Sequence, residues 1–377
     1  MSWHPPVPLS IPDADGAQWL VRRAWPEPTA GDYIMELAAP GRAGVRAAHF
    51  RAGALELLPQ GGDRRLPALA PVEPLGEVVV HRAHKRAVVR AGDRYFKIFR
   101  PRQSDEAADR HIRTTAFLAA GDFLSPEVVS YTQGCLLITA LPGRSLFELG
   151  NDPAVSDAGF EGIWQKWSHA WVRQQSLAGA AGYRSSLAAL APRTAAVELE
   201  NLQRMVDRWL LHAQDVPGAR TQRDGVAAAA GRIAEQLLRT SPDPLVWSHG
   251  DLHDKQVFAT APDAPLGLLD FDEAGLAEAA ADLANLAVHL RLRLRQGRLT
   301  PERYRSARHQ VIAAAEELRV TPARFDAYAA AARLRLGCLY SFRPQWAALA
   351  EDLLHQAAGG QAPSFAAGGP AAGAARG

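Results

Sequence analysis

The stretch Ser248-His249-Gly250-Asp251-Leu252-His253-Asp254-Lys255-Gln256, followed fourteen residues on by Asp270-Phe271-Asp272, decides how the chain is read. Short apolar runs at 245–247, 257–260 and 266–269 bracket it, so the segment reads as a loop between strands, with a second acidic motif on the next hairpin. A carboxylate at a loop tip, an amide oxygen five residues later and a further carboxylate downstream form the set that phosphoryl transfer needs. The first can orient an attacking hydroxyl and take its proton, and the other two can hold Mg²⁺ against phosphate oxygens. An isolated Asp-Phe-Asp is ordinarily a turn, and its distance from the His249 loop is what gives it chemical meaning. Reading His249, Asp251 and His253 as a hydrolytic metal centre instead would require a further cluster of His or Cys, which the neighbouring sequence lacks.

Outward from this loop the chain changes character. Residues 18–25, 33–38, 45–50 and 54–58 are short alternating runs broken by Pro, Gly and Asp, a strand-and-turn signature. A proline-spaced joint at 66–74 leads to further strand-like runs at 77–80, 86–90 and 94–99, the last two joined at Ala91-Gly92-Asp93 as a hairpin. Helical spacing follows over 104–120, with Ile112, Thr115, Ala116 and Leu118 on its expected apolar face, and strands at 127–131 and 135–139 close the unit. Beyond Ser145 the spacing predicts helices over 160–175, 193–213 and 225–240, and again from about Leu276 to His355, around the strand-and-loop insert that carries the acidic motifs. The expected organisation is an N-terminal β-rich module (1–74), a β-rich nucleotide lobe (75–143), a mainly helical lobe (144–356) and a disordered Ala/Gly-rich tail (357–377).

Composition excludes several classes. With 42 Lys and Arg against 40 Asp and Glu, the formal charge of +2 provides no field for nonspecific nucleic-acid or membrane binding. No apolar stretch is long enough to span a bilayer, and Cys135 and Cys338 have neither metal-ligand spacing nor the number for a disulfide framework, which points to a cytoplasmic protein. Basic residues are 38 Arg and only four Lys, so a retained Lys marks a place where an ammonium is needed rather than a guanidinium. Lys97, in Tyr95-Phe96-Lys97-Ile98-Phe99, is one, and strand alternation points it away from Phe96 and Ile98.

His-Gly-Asp-Leu-His with the downstream Asp-Phe-Asp resembles the aminoglycoside phosphotransferase and choline kinase family of the protein-kinase-like superfamily, over about residues 76–355. The resemblance implies an α+β, two-lobed kinase-like fold preceded by the extra β-rich module. It implies Mg-ATP as phosphoryl donor and a small-molecule hydroxyl as acceptor: a sugar, aminosugar, aminoglycoside or amino alcohol. By the same resemblance Asp251 is the catalytic base, Asp270 the principal Mg²⁺ ligand, Asp282 the carboxylate bracing the loop and Lys97 the contact to the nucleotide phosphates. Gln256 stands where most members carry Asn, as in kinases similar to the maltokinases, and offers the same amide oxygen to the metal. Glu106 is the candidate helix partner of Lys97, although helix phase would put His111 in that place. The loop at 81–86 is basic and lacks the glycines of a protein-kinase phosphate loop.

Two readings from other classes compete. A degenerate kinase-like module would bind nucleotide or another ligand at most, without turnover. A protein kinase would need a peptide-binding segment after Asp270, for which the early return to helix leaves no room. Trp164, Trp167 and Trp171 at helical spacing read as core rather than a substrate platform, the Arg-rich run at 289–298 as a solvated helix, and Asp254, Asp272 and Glu273 as an acidic mouth suited to a cationic or polyhydroxylated acceptor.

Overall fold

Four sheets and a helical body build the molecule, in a computed structural model that describes residues 7–178, 183, 187–214, 219–261, 263–359 and 365. The expected disordered tail lies almost wholly outside the described residues, and the last helix, Ala347–Ala358, runs two residues into it.

The first sheet is an antiparallel meander of β1 (Ser10–Pro12), β2 (Gln18–Pro26), β3 (Tyr33–Ala38), β4 (Arg46–Arg51) and β5 (Ala54–Leu57). Its central strand is the most buried, with Tyr33, Met35 and Leu37 at 0% exposure. The joint read at 66–74 contains a single helical turn, Leu69–Val72, and a 3-10 turn, Glu73–Leu75, which lay Leu66, Leu69 and Val72 on the next sheet.

That second sheet has the order β10-β11-β8-β7-β6, from β6 (Glu77–Arg82), β7 (Arg86–Ala91), β8 (Arg94–Ile98), β10 (Val128–Thr132) and β11 (Cys135–Thr139). β8 is central, so Lys97 is flanked on both sides by strands. Helix α1 (Ser104–Leu118) packs on the sheet with a different face from the expected one. Ala107, Ala108, His111, Thr114, Phe117 and Leu118 are buried, while Ile112 is 45% exposed. The reason is tertiary: His111 donates toward the Pro126 carbonyl (2.8 Å) and meets the Phe271 ring edge-on on the same side as buried Phe117 and Leu118, which leaves Ile112 outward.

The helical body comprises α2 (Leu146–Asn151), α3 (Asp157–Ala178), α4 (Ala195–Ala213), α5 (Arg220–Arg239), α6 (Ala279–Arg295), α7 (Pro301–Glu317), α8 (Pro322–Tyr340) and α9 (Ala347–Ala358). Ser145 caps α2 with a reciprocal capping box to Glu148. Trp164, Trp167 and Trp171 on α3 are at most 1% exposed and pack against one another and Trp247, which makes them core and excludes the platform role. Four strands were not foreseen: β1 and the two-residue β9 (Phe123–Leu124) and β12 (Arg144–Ser145) are too short to read, while β16 (Gly275–Glu278) has a helix-like composition, yet pairs antiparallel with β13 (Leu245–Ser248) from Leu245↔Glu278 to Ser248↔Gly275. Its last residue, Glu278, is buried and satisfied by Arg324 (Nε to Oε2, 2.7 Å) and the Tyr328 hydroxyl (2.8 Å).

The two-lobed, kinase-like α+β architecture with an additional N-terminal β module is thus the observed fold. The module touches both lobes. Val45 N donates to the Val78 carbonyl (2.8 Å) on the sheet side, and Ala24 N donates to the Phe342 carbonyl (3.0 Å) on the helical side.

Candidate active site

Two adjacent strand pairs create the site. β13 pairs with β16, and β14 (Val257–Ala259) pairs with β15 (Leu266–Leu268), so the loops that leave β13 and β15 emerge together. Asp251 on the first loop and Asp270 and Asp272 on the second therefore line one cleft of about 440 Å³.

The first loop is held almost entirely from helix α6. Asp282 accepts from the backbone of His249 (2.7 Å) and of Gly250 (3.0 Å), the bracing expected of it. Asn285 donates to the Leu252 carbonyl (3.0 Å), His289 stacks near His253 (4.8 Å between rings), and Arg293 grips Asp254 through Nε and a terminal nitrogen (2.9 and 3.1 Å). These four fall at i, i+3, i+7 and i+11, one stripe of the helix. Arg293 is consequently buried, not solvated as the run at 289–298 suggested, and Asp254 is spent inside the loop rather than adding to an acidic mouth. His249 Nε2 faces the Leu269 carbonyl (2.9 Å), which assigns its proton to that nitrogen and leaves Nδ1 to accept from the Asp251 backbone (3.4 Å). Gly250 sits at φ +80°, where a Cβ would fall 2.0 Å from the Glu273 carbonyl oxygen, so this bend admits only glycine.

Asp270 adopts a left-handed conformation (φ +67°), a strained state for a non-glycine residue that aims its carboxylate into the cleft. Lys97 Nζ donates to Asp270 Oδ1 (2.7 Å) and also to Asp272, and Arg86 pairs with Asp272. Burial opposes the charge on Asp270, but Lys97 and Arg86 outweigh it and hold the carboxyl well below its usual range. The same carboxylates raise the Lys97 ammonium above its ordinary value in spite of burial. At Asp251 the balance is opposite. Desolvation by the surrounding walls pushes its carboxyl up against the pull of Arg335 and His249, although 41% of the side chain remains accessible. Two carboxyls in one cleft thus differ in proton affinity, the stronger base being the one at the loop tip.

Gln256 lies at the foot of the loop, buried, with its side-chain amide nitrogen 3.4 Å from His253 Nε2 and its backbone carbonyl accepting from Leu269 N (3.1 Å), one residue from Asp270. Glu106 is not brought to Lys97. It is largely exposed and pairs with Arg110 (2.8 Å), whose other nitrogen donates to the Asp272 carbonyl. His111, on the buried face, is occupied by Pro126, so the partners of Lys97 are the two aspartates. The expected acidic mouth is balanced: Arg193 pairs with Glu273, and Arg86 and Lys97 pair with Asp272. The basic loop read at 81–86 does line the cleft, with Arg82, Lys85 and Arg86; sequence reasoning missed Arg293 and the contribution of the N-terminal module, which adds Arg23 and Trp25 to the cleft wall. The polar stripe on an otherwise apolar α6 was the signal for Arg293; none existed for Trp25.

A model of the phosphotransferase enzyme family (APH) matches residues 79–328. Solved structures of similar fold include APH(2'')-IIIa with GDP and kanamycin, at 15% identity and TM-score 0.51, covering 76% of this chain and 93% of that one. A GDP complex of a point mutant of aminoglycoside 2'-phosphotransferase IIIa matches at 14% identity and TM-score 0.51, covering 77% and 92%. A choline/ethanolamine kinase family protein from Mesorhizobium loti matches at 18% identity and TM-score 0.48, covering 80% and 92%. No curated protein sequence matches.

Proposed function

Since the chain belongs to the phosphotransferase enzyme family and is a small-molecule kinase by that membership, we propose that it moves the γ-phosphoryl of Mg-ATP to a hydroxyl of a sugar, aminosugar, aminoglycoside or amino alcohol, with Asp251 as base. The observation that carries this reading is one cleft containing a Lys97–Asp270–Asp272 cluster beside a more basic Asp251 carboxylate.

Asp270 and the amide oxygen of Gln256 are hard oxygen donors of the type and number with which proteins hold Mg²⁺, which takes few protein ligands and completes its shell with water and phosphate. No cluster of three or more His, Cys, Asp or Glu arranged for a metal occurs among the described residues, which suits a phosphate-assisted ion better than an all-protein cage. When bound, Mg²⁺ supplies positive charge against the phosphate oxygens. Lys97 adds a second positive charge there. Asp251 holds the acceptor hydroxyl in line and takes its proton as the new O–P bond forms and the bond to the leaving ADP breaks. Asp282, Asn285 and Arg293 keep that carboxylate in place, and Glu106 acts at one remove, by holding Arg110 on the Asp272 carbonyl.

We propose a cytoplasmic location from the cysteines, since Cys135 and Cys338 are free and buried. No described helix is long and apolar enough to cross a membrane. An ADP-release assay with Mg-ATP over a panel of the four acceptor classes, with Asp251→Asn in parallel, tests the function. Turnover with one class that falls by about 10²-fold or more in the variant is expected. Turnover undiminished by Asp251→Asn would overturn the assignment of the base, and an absence of Mg-ATP binding would leave a degenerate module.

A further inference from the structure

The turn between β6 and β7, which overhangs the cleft, is built unlike a mobile phosphate loop. It contains no glycine, and it is bolted to the N-terminal module. Ala83 is buried with Ala47 and Leu58. Asp63 accepts from the His84 backbone (2.6 Å) and ring (2.7 Å), and the His84 Nε2 lies 3.1 Å from that of His49. Two residues before the turn, His81 N donates to Glu36 (3.0 Å), the same carboxylate that holds Arg23 bidentately at 2.7 Å.

This scaffold leaves one guanidinium conspicuously unspent. Arg86 is neutralised by Asp272 and Arg23 by Glu36. Arg82 lines the same cleft as Asp251 and Asp270, yet has no carboxylate partner among the described residues. Its contact is the ring of Trp25, 5.0 Å from the guanidinium carbon, and Arg23 lies 5.4 Å from that ring. A ring quadrupole orients a cation without cancelling its charge. Burial and the neighbouring Arg86, Arg23 and Arg208 lower its pKa to about 10, so it remains charged at neutral pH while lacking a counter-charge. A half-buried cation of this kind is stabilised by an arriving anion.

We propose that Arg82 is the residue that grips the terminal phosphoryl group of the nucleotide, and that the N-terminal module serves as its positioning element through Trp25. This rests on the phosphotransferase reading above and gives the module a task in it: replacing the backbone-amide cradle of a glycine-rich loop with a preset side-chain charge.

The test is binding of adenosine, Mg-ADP and Mg-ATP to the full chain by calorimetry, with folding of each variant verified by thermal melting. Arg82→Gln is expected to weaken Mg-ATP by ~10–100-fold, the loss of one charge-assisted contact, to weaken Mg-ADP less, and to leave adenosine unchanged. Trp25→Ala is expected to shift the ATP-to-ADP ratio in the same direction, and Trp25→Phe to restore it because the ring face is retained. Equal affinities of wild type and Arg82→Gln for Mg-ATP would overturn the proposal alone. So would parallel losses for all three ligands, which mark a structural role. Failure of the wild type to bind Mg-ATP would remove the phosphotransferase reading with it.

Discussion

Lys97 and Asp270, 173 residues apart in sequence, meet at 2.7 Å, and this contact joins the β lobe to the helical lobe in the middle of the cleft. Asp272 shares the ammonium and also pairs with Arg86, so one lysine and one arginine are clustered on two carboxylates. Lys97→Met should therefore weaken Mg-ADP binding by at least ~10-fold, through loss of charge-assisted contacts at the phosphate end. Calorimetry reads this directly, and unchanged affinity would remove Lys97 from the nucleotide site.

Gly250→Ala combines a left-handed backbone with a clash against the Glu273 carbonyl. The conformation alone costs about 1–2 kcal/mol, and the clash must displace one of the two acidic loops. A lowered melting temperature together with lost ADP release is expected. Wild-type turnover in this variant would show that the bend is not needed for the chemistry.

Arg293→Ala leaves Asp254 buried without its partner, a change that costs about 3–5 kcal/mol. Replacing both, as Asp254→Asn with Arg293→Leu, should recover much of that stability, because no unpaired charge remains. Denaturant unfolding of the two single variants and the double variant measures the coupling, and simple additivity would contradict the pairing.

Asp63 gives the protein an acid limit. Burial raises its pKa, but hydrogen bonds from the His81 ring, the His84 backbone and ring, and the Arg65 backbone prevail and hold the carboxyl well below its usual range. Its folded pKa being below its unfolded one, the stability it contributes is complete above about pH 3.9 and is lost as pH falls below that toward the folded value. Asp63→Asn should lower stability at pH 7 and flatten the acid branch of the profile. Parallel profiles for wild type and variant between pH 3 and 7 would count against it.

That the loop at 248–256 and the acidic motif at 270–272 belong together was legible because the signal is local: the spacing of His249, Asp251, Gln256 and Asp270 can be read without knowledge of what surrounds them, and Asp251 and Asp270 do line one cleft. The strand runs at 33–38 and 135–139 were legible for the same reason and match β3 and β11. What failed to show depends on distant partners. Residues 275–278 read as the start of a helix until β13 supplies a strand to pair with. The rotation of α1 that turns Ile112 outward brings His111 to Phe271 and Pro126 beside buried Phe117, contacts its own spacing does not announce. Arg293 looked like one of several surface arginines because the asymmetry that singles it out is the stripe begun by Asp282 and Asn285. Trp25 belongs to a run that shares no motif with the site, and only the stacking of Arg23 and Arg82 on its ring connects them.

Two lobes joined by one strand of chain ordinarily swing about that joint like a jaw. Here a strut spans the open side, since the first sheet is bonded to Val78 and His81 above and to Phe342 and His212 below. Spreading the jaw means shearing that strut, so the seating of the first sheet limits how far the cleft can open. A chain begun at Gly76 would keep the acidic loops and Lys97 and lose the brace.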